Sequence, residues 1–365
     1  METQILQNRN AQVDIAKGIG IFFVIIGHLI TYGHPIFRWI FSFHMPLFFF
    51  LSGYVFKYDS EQLGRGVLKT LCSLLTPYFL MCLFGLAVTI LASKTIIPGW
   101  HINSLKDVIF QVFYFVQPEC LHVGQVWFLF CLAMVQVLFL LLKNLKVSER
   151  MEILFVILSF SLSIGLSCIY MKIGGRQIMN HSIPRPPFKL DTAFMGLVFF
   201  YLGNKDCEKQ ISASFNSKPL YKKGLVLLLL LCVNLIYVIM LNDTVNLANN
   251  WYKNTVFFAL SSITGVYFIF LFSSMVKHSK ILEFYGKNSL PIFAFHSMFL
   301  TAYAALLTKI LKHPVYCMNN IPLYLGFLGM FFVAVLSLPI PFIYKHTIGL
   351  VVKLAKKRIL TKYTI

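Results

Sequence analysis

In the stretch DIAKGIGIFFVIIGH, Lys17 and His28 stand eleven positions apart in an otherwise apolar run. At 3.6 residues per turn this is three turns plus about 20°, so both side chains project from one helix face, roughly 16 Å apart along the axis. A cation at one end and an imidazole at the other can hold an anionic molecule by its charged part and do proton or group-transfer chemistry further along. Titratable side chains in a membrane span cost about 2.5–3.5 kcal/mol on insertion scales and usually face a cavity or a partner. Lys17, near a helix end, can also snorkel to the surface. His28, deeper, cannot reach bulk water. Asp14, three residues before Lys17, either orients that lysine or is an exposed first-turn carboxylate favoured by the helix dipole.

A second stretch, FSFHMPLFFFLSGYVF, carries His44 two residues before Pro46 and a small Ser52-Gly53 pair. Proline bends a span and frees a backbone carbonyl, and Gly53 predicts a close approach between the first two helices. As an antiparallel hairpin, these helices hold His28 and His44 at similar depth. No carboxylate or cysteine stands nearby at ligand spacing, so a metal site is not expected. His296 is another lone titratable group in an apolar run, two turns beyond the polar pair Asn288-Ser289, which suits a helix cap.

The elements that must position these groups are membrane helices. The chain of 365 residues is 58% hydrophobic and 12% charged, with a mean hydropathy of +0.75. Apolar runs of about 20 residues, the length that crosses a hydrocarbon core of about 30 Å, recur along it. They are continuous, without the alternation of barrel strands, so the fold class is all-α and polytopic. Ten helices are expected, at 14–33, 36–56, 68–93, 124–143, 151–171, 190–203, 222–241, 254–276, 289–311 and 321–344, in a single transmembrane domain over 1–345 followed by a basic tail over 346–365. The run 105–117 is too short to span and is expected to be interfacial or re-entrant. The first run lacks a cleavage signature and reads as an uncleaved span.

The net charge of +19 is scattered through short loops, which argues for topology and against nucleic acid. With both termini cytoplasmic, inner segments hold 22 of the 32 Lys and Arg. The outer loop GGRQIMNHSIPRPPFKLD is the main exception. Its Arg176, Arg185 and Lys189 suit either an anionic ligand or lipid headgroups. The tail KLAKKRILTKY suits an anchor on anionic lipid. Eight cysteines lack the paired spacing of a disulfide framework or a zinc site.

Several of these stretches also carry a resemblance. DIAKGIGIFFVIIGH and FSFHMPLFFFLSGYVF, then GRGVLKTLCSLLTPYF, VWFLFCL, FKLDTAFMGLVFFYLG and EFYGKNSLPIFAFHSMF resemble, in order and along most of the chain, integral-membrane acyltransferase family three, in particular its fucose 4-O-acetylase-like branch. The family has a basic residue, ten residues and a histidine in its first span, here Lys17 and His28. Arginine is usual at the basic position, so Lys17 keeps the charge and lacks the guanidinium fork. Arg65 and Lys69 stand where the family has a cytoplasmic basic pair ahead of Pro77-Tyr78.

The resemblance implies transfer of an acetyl group from cytoplasmic acetyl-CoA, a substrate and not a bound cofactor, to a hydroxyl of a cell-surface glycan or its lipid-linked precursor, in a bacterial inner membrane. In that reaction Lys17, Arg65 and Lys69 would hold the CoA phosphates, and Asn288 and Ser289 could contact CoA. His28 would act as general base or as acylated nucleophile, with His44 and His296 as further catalytic candidates. Trp127 either lines the site or anchors at the interface. Glu119, His122 and Asp191 are outer-side groups able to bind sugar hydroxyls. Two alternatives stay open: a transporter or flippase of a lipid-linked saccharide, against which the absence of an internal repeat counts, and a succinyl-CoA donor, which would need a cation beyond His28.

Overall fold

The computed structural model describes residues 11–58, 63–94, 104–173, 185–241, 243–276, 278–312, 315 and 321–362. Its helices are α1 (Ala11–Gly27), α2 (Pro35–Tyr54), α3 (Leu63–Lys94), the short α4 (Leu105–Ile109), α5 (Trp127–Asn144), α6 (Glu149–Ile173), α7 (Leu190–Lys209), α8 (Leu220–Leu241), α9 (Thr255–Met275), α10 (Lys280–Lys287), α11 (Ser289–Leu311), α12 (Leu323–Ser337), α13 (Ile340–His346) and α14 (Ile348–Lys362). All ten expected spans are helical, and the described residues contain no strand. Eight stretches, namely α2, α3, α5, α6, α8, α9, α11 and the run Leu323–Lys357, are long and apolar enough to cross a membrane. The protein is a polytopic all-α membrane protein.

The other two, α1 and α7, are walled in by these. At 1.5 Å per residue the 17 residues of α1 reach only about 25 Å, short of a hydrocarbon core. The helix expected over 14–33 stops at Gly27, and a turn closed by Gly33, whose φ of 83° suits glycine, leads into α2. Conversely α7, expected over 190–203, runs on to Lys209. Its polar last turns are held largely from α6: Lys205 pairs with Glu152 at 3.4 Å and Lys209 with Glu149, and within α7 Lys205 also pairs with Glu208 at 2.9 Å. Hydropathy along one segment cannot register partners supplied by another. The lipid face lies elsewhere, on exposed apolar side chains such as Leu225, Leu228 and Ile239 of α8 and Ile157 and Leu158 of α6.

At the centre, α1 packs on α2, α9 and α10, and α2 packs on α7 and α9. Gly53 does mark a close approach, but to α7 and not to α1: a Cβ there would collide with the Phe200 carbonyl. A bare helix face permits backbone approach without specifying the partner, and the expected Gly53 contact with the first helix is corrected accordingly. Backbone-close packing of α1 is instead with α10, where Gly286 meets the Asp14 carbonyl and Gly18 the Leu282 carbonyl. Pro46 leaves the Ser42 carbonyl without its helical donor. The Ser262 hydroxyl of α9 donates to it at 2.5 Å.

On the outer side, α4 continues as a π-helical turn over Phe110–Phe115 with one buried face and exposed Leu105, Ile109 and Phe113, the pattern of an interfacial helix. The described cations of the outer basic loop, Arg185 and Lys189, are not presented to ligand or lipid. Arg185 is buried and forms an ion pair with Asp191, its Nε donating at 2.8 Å, and its Nη1 donates to Asn249 at 3.2 Å. Lys189, also buried, donates to Gln117 Oε1 at 2.6 Å and to the Ala248 carbonyl at 2.8 Å, over the Phe115 ring. A cation taken out of water needs such partners, and these are all protein groups. Asp191 further accepts from Tyr170, so it is unavailable to a sugar, and Trp127 is buried beside Lys189, not at an interface. Arg176 lies outside the described residues.

Candidate active site

Three histidines, one from the end of α1 and one each from α2 and α11, meet beneath the outer cap. His28 is the first residue past α1, half-buried, with its ring centroid 5.4 Å from that of His296 on α11. His44 on α2 joins them through Phe41, whose ring lies 4.7 Å from His44 and 6.0 Å from His28. His44 Nδ1 bonds the Ile40 carbonyl at 2.9 Å and His296 Nδ1 the Phe293 carbonyl at 2.6 Å. A carbonyl only accepts, so each Nδ1 carries the proton and each Nε2 is left with a lone pair. His296 Nε2 is buried with no hydrogen-bond partner among the described residues. An orphaned buried nitrogen costs about 1–3 kcal/mol, so a lone pair in this position calls for a partner such as water or a ligand proton.

Beyond His296, towards the outer surface, the Gln125 carboxamide donates to the Ala294 carbonyl at 3.1 Å and to the Ser297 hydroxyl, and Ser297 donates to the His122 carbonyl. The loop before α5 is thereby fastened to the residues flanking His296. Burial depresses the basicity of His122 in that loop.

In the other direction, Lys17 and Ser289 share a pocket of about 120 Å³ with Ser52, Phe128, Leu132 and Phe293. The backbone contact of α1 with α10 brings the start of α11 against Lys17, because Gly286 and Gly18 remove the Cβ atoms that would hold the helices apart. Ser52 and Leu132 also line a larger cavity of about 700 Å³, with Lys57, Arg65 and Lys69 on its walls and no carboxylate among its lining residues. The two spaces thus adjoin at Ser52 and Leu132, and the order along the molecule is cationic cavity, Lys17 pocket, histidines. Phe48, Phe128 and Phe293, with ring centroids 5.6 to 6.5 Å apart, close the deep end of the pocket, and Phe293 lies 5.6 Å from His296.

Of the residues singled out in the sequence, Lys17 and Ser289 line one pocket, Arg65 and Lys69 the cavity that adjoins it, and His28, His44 and His296 form one cluster beyond the phenylalanines. Asn288 precedes α11 without capping it by its side chain. Its amide donates back to the Phe284 carbonyl at 2.8 Å, satisfying the preceding helix instead. Asp14 is buried, not an exposed first-turn carboxylate, because α10 covers that end of α1. Sequence reading missed Lys57, Gln136 and the three phenylalanines. Gln136, a lone amide within VQVLF, carried a signal, whereas the phenylalanines are three among 37.

Among the described residues no group of three or more His, Cys, Asp or Glu could hold a metal ion. A family model described as an acyltransferase domain, Acyl_transf_3, matches residues 10–346, nearly the whole chain. The chain belongs to this acyltransferase family. One relative of this acyltransferase-family chain is nodulation protein NolL of Mesorhizobium japonicum, 29% identical over 178 residues, a match covering 46% of this chain and 43% of the relative. The chain thus spans less than half the length of that relative. No solved structure matches it.

Proposed function

We propose that the protein is an O-acetyltransferase that takes acetyl from cytoplasmic acetyl-CoA and passes it to a hydroxyl of a cell-surface polysaccharide or its lipid-linked precursor, in a bacterial inner membrane. The observation that carries this reading is the alignment of a carboxylate-free cationic cavity, the adjoining Lys17 pocket and, behind the Phe293 ring, a histidine cluster. The cavity volume lies in the usual range for small-molecule sites. Its cations suit the phosphates of CoA, and the roughly 16 Å between Lys17 and His28 along a helix suits an extended pantetheine arm.

In this reading His28 removes the proton of the acceptor hydroxyl as that oxygen attacks the thioester carbonyl. The carbon–sulfur bond then breaks, and the CoA thiolate takes the proton back from the imidazolium, leaving ester and free thiol. His296 and His44, each fixed with an Nε2 lone pair, are the acceptors for a proton shared within the cluster. The acceptor enters from the outer side, past Gln125 and Ser297. Acetyl is favoured over succinyl because the pocket beyond Lys17 is walled by phenylalanine and leucine, with no second cation for a distal carboxylate.

The test is mass spectrometry of surface polysaccharide from cells carrying wild type, His28→Ala or no gene, with membrane levels of both proteins checked. Loss of an increment of about 42 Da, the mass an acetyl ester adds on transfer, in both deficient strains supports the reading. A glycan that keeps its acyl groups but fails to reach the surface without the gene overturns it in favour of a transporter.

A further inference from the structure

The turn that follows α1 carries Tyr32 on the outer side, four residues past His28, a separation of at most about 14 Å along the chain. Tyr32 is 56% exposed, yet its hydroxyl is tied inward: Oη shares a hydrogen bond of 2.5 Å with Oγ1 of the buried Thr244. A tyrosine that anchors a protein at a membrane surface does the reverse, holding its polar tip in water and its ring in lipid. Tyr324, at the outer start of α12, suits that role, since it is exposed and its hydroxyl bonds no described residue. In Tyr32 the tip is consumed, and the uncovered area is largely ring.

This ring is joined to the candidate site. It is the outer end of a ladder of rings, with Tyr32 5.1 Å from Phe37, Phe37 3.9 Å from Phe41, and Phe41 6.0 Å from His28 and 4.7 Å from His44. Thr244 also links the ring to a carboxylate: its backbone N–H donates to Asp243 Oδ1 at 2.7 Å, while Oδ2 bonds no described residue. The turn is itself fixed, because the Thr31 hydroxyl donates to the Ile321 carbonyl at 3.3 Å. A fixed aromatic face with a carboxylate oxygen close by suits a pyranose. The C–H groups of such a sugar carry partial positive charge and meet the negative face of the ring, and its hydroxyls donate to the carboxylate.

We propose that Tyr32 is the platform on which one sugar ring of the acceptor glycan stacks, with Asp243 accepting from a hydroxyl of that sugar, so that a hydroxyl further along the same glycan is presented to His28. This deepens the acceptor side of the reading above and rests on it. Stacking uses a face that pyranoses have in common, so the platform holds a chain of sugars without dictating their identity. The hydroxyl that reacts is then the one that the length between Tyr32 and His28 brings to the imidazole.

The measurement is transfer of radiolabelled acetyl from acetyl-CoA to the producing cell's surface polysaccharide, stripped of its esters by mild alkali, by the full chain in phosphatidylcholine nanodiscs. Tyr32→Leu, which keeps an apolar side chain and loses the aromatic face, is expected to raise KM for the polysaccharide about tenfold and to leave KM for acetyl-CoA and the melting temperature unchanged. Tyr32→Trp, with a larger face and no hydroxyl to tie, should stay within about threefold of wild type. Asp243→Asn should raise the polysaccharide KM about threefold, a charged acceptor being replaced by a neutral one, and Tyr324→Leu should change neither constant. An unchanged polysaccharide KM in Tyr32→Leu, or a rise that Tyr32→Trp shares in full, overturns the proposal. So does a lowered melting temperature or membrane yield with both constants intact, which makes Tyr32 a lipid anchor. If wild type transfers no acetyl to the polysaccharide, the O-acetyltransferase reading falls first and this proposal with it, an outcome distinct from an active wild type whose KM is insensitive to Tyr32.

Discussion

Two groups of polar side chains are buried in this membrane protein, and they differ in how completely they are satisfied. In the outer cap, Arg185, Lys189 and Asp191 are closed in by Gln117, Tyr170, Asn249 and the Ala248 carbonyl. In the histidine cluster, His296 Nε2 has no partner among the described residues, and His28 is half-buried. Both groups are expensive to place at membrane depth. The first has had its chemistry consumed by structure, and the second has kept its chemistry available. Sequence alone puts the histidines first as catalytic candidates but leaves Arg185, Lys189 and Asp191 open to a ligand, because the groups that satisfy them come from other segments.

The comparison can be broken by substitution. The largest expected effect is on His28: His28→Ala should lower acetyl transfer by about 10²–10⁴-fold with the melting temperature of the detergent-solubilised protein unchanged. A melting point that falls with the activity would make His28 structural. Next, Asp191→Ala should destabilise the fold by about 3–5 kcal/mol by leaving Arg185 buried without its counter-charge, read as lost yield and a lowered thermal midpoint. The double change Arg185→Met with Asp191→Leu should recover much of that loss, because an apolar pair does not need desolvated charges to be balanced. His296→Leu sharpens the contrast from the other side. Stability should move by no more than about 1 kcal/mol, the lost bond to Phe293 being offset by removal of the orphaned nitrogen, while turnover drops at least about tenfold. The smallest effect is at Ser262→Ala, which uncovers the Ser42 carbonyl beside Pro46 and should cost about 1 kcal/mol in a denaturation series.

Much of the site was legible because register is local. Lys17 and His28 share a face by helical arithmetic alone, and His296 stands out as a titratable group in an apolar run. What joins them was not legible. Ser52 and Leu132 lie on the walls of both cavities through their position in three dimensions, and neither the small Ser52 nor the apolar Leu132 announces that place along the chain. The fold showed the same division. The ten helices were readable from hydropathy, yet α7 ran two turns too far for its composition, since Glu149 and Glu152, which pair with Lys205 and Lys209, belong to α6. Gly53 announced a close approach but not its partner. The outer loop misled most, because Arg185 and Lys189 violate the charge bias of topology for a reason internal to the protein: each has buried partners waiting.

The three rings of Phe48, Phe128 and Phe293 carry a consequence for the cell as well as for the reaction. A water-accessible opening from one side that ended at titratable imidazoles near the other would be a wire for protons, and the membrane's ion gradient would discharge through it. With a helix as short as α1 at its heart, such a leak would be held back by the aromatic side chains that line the pocket wall between Lys17 and His296.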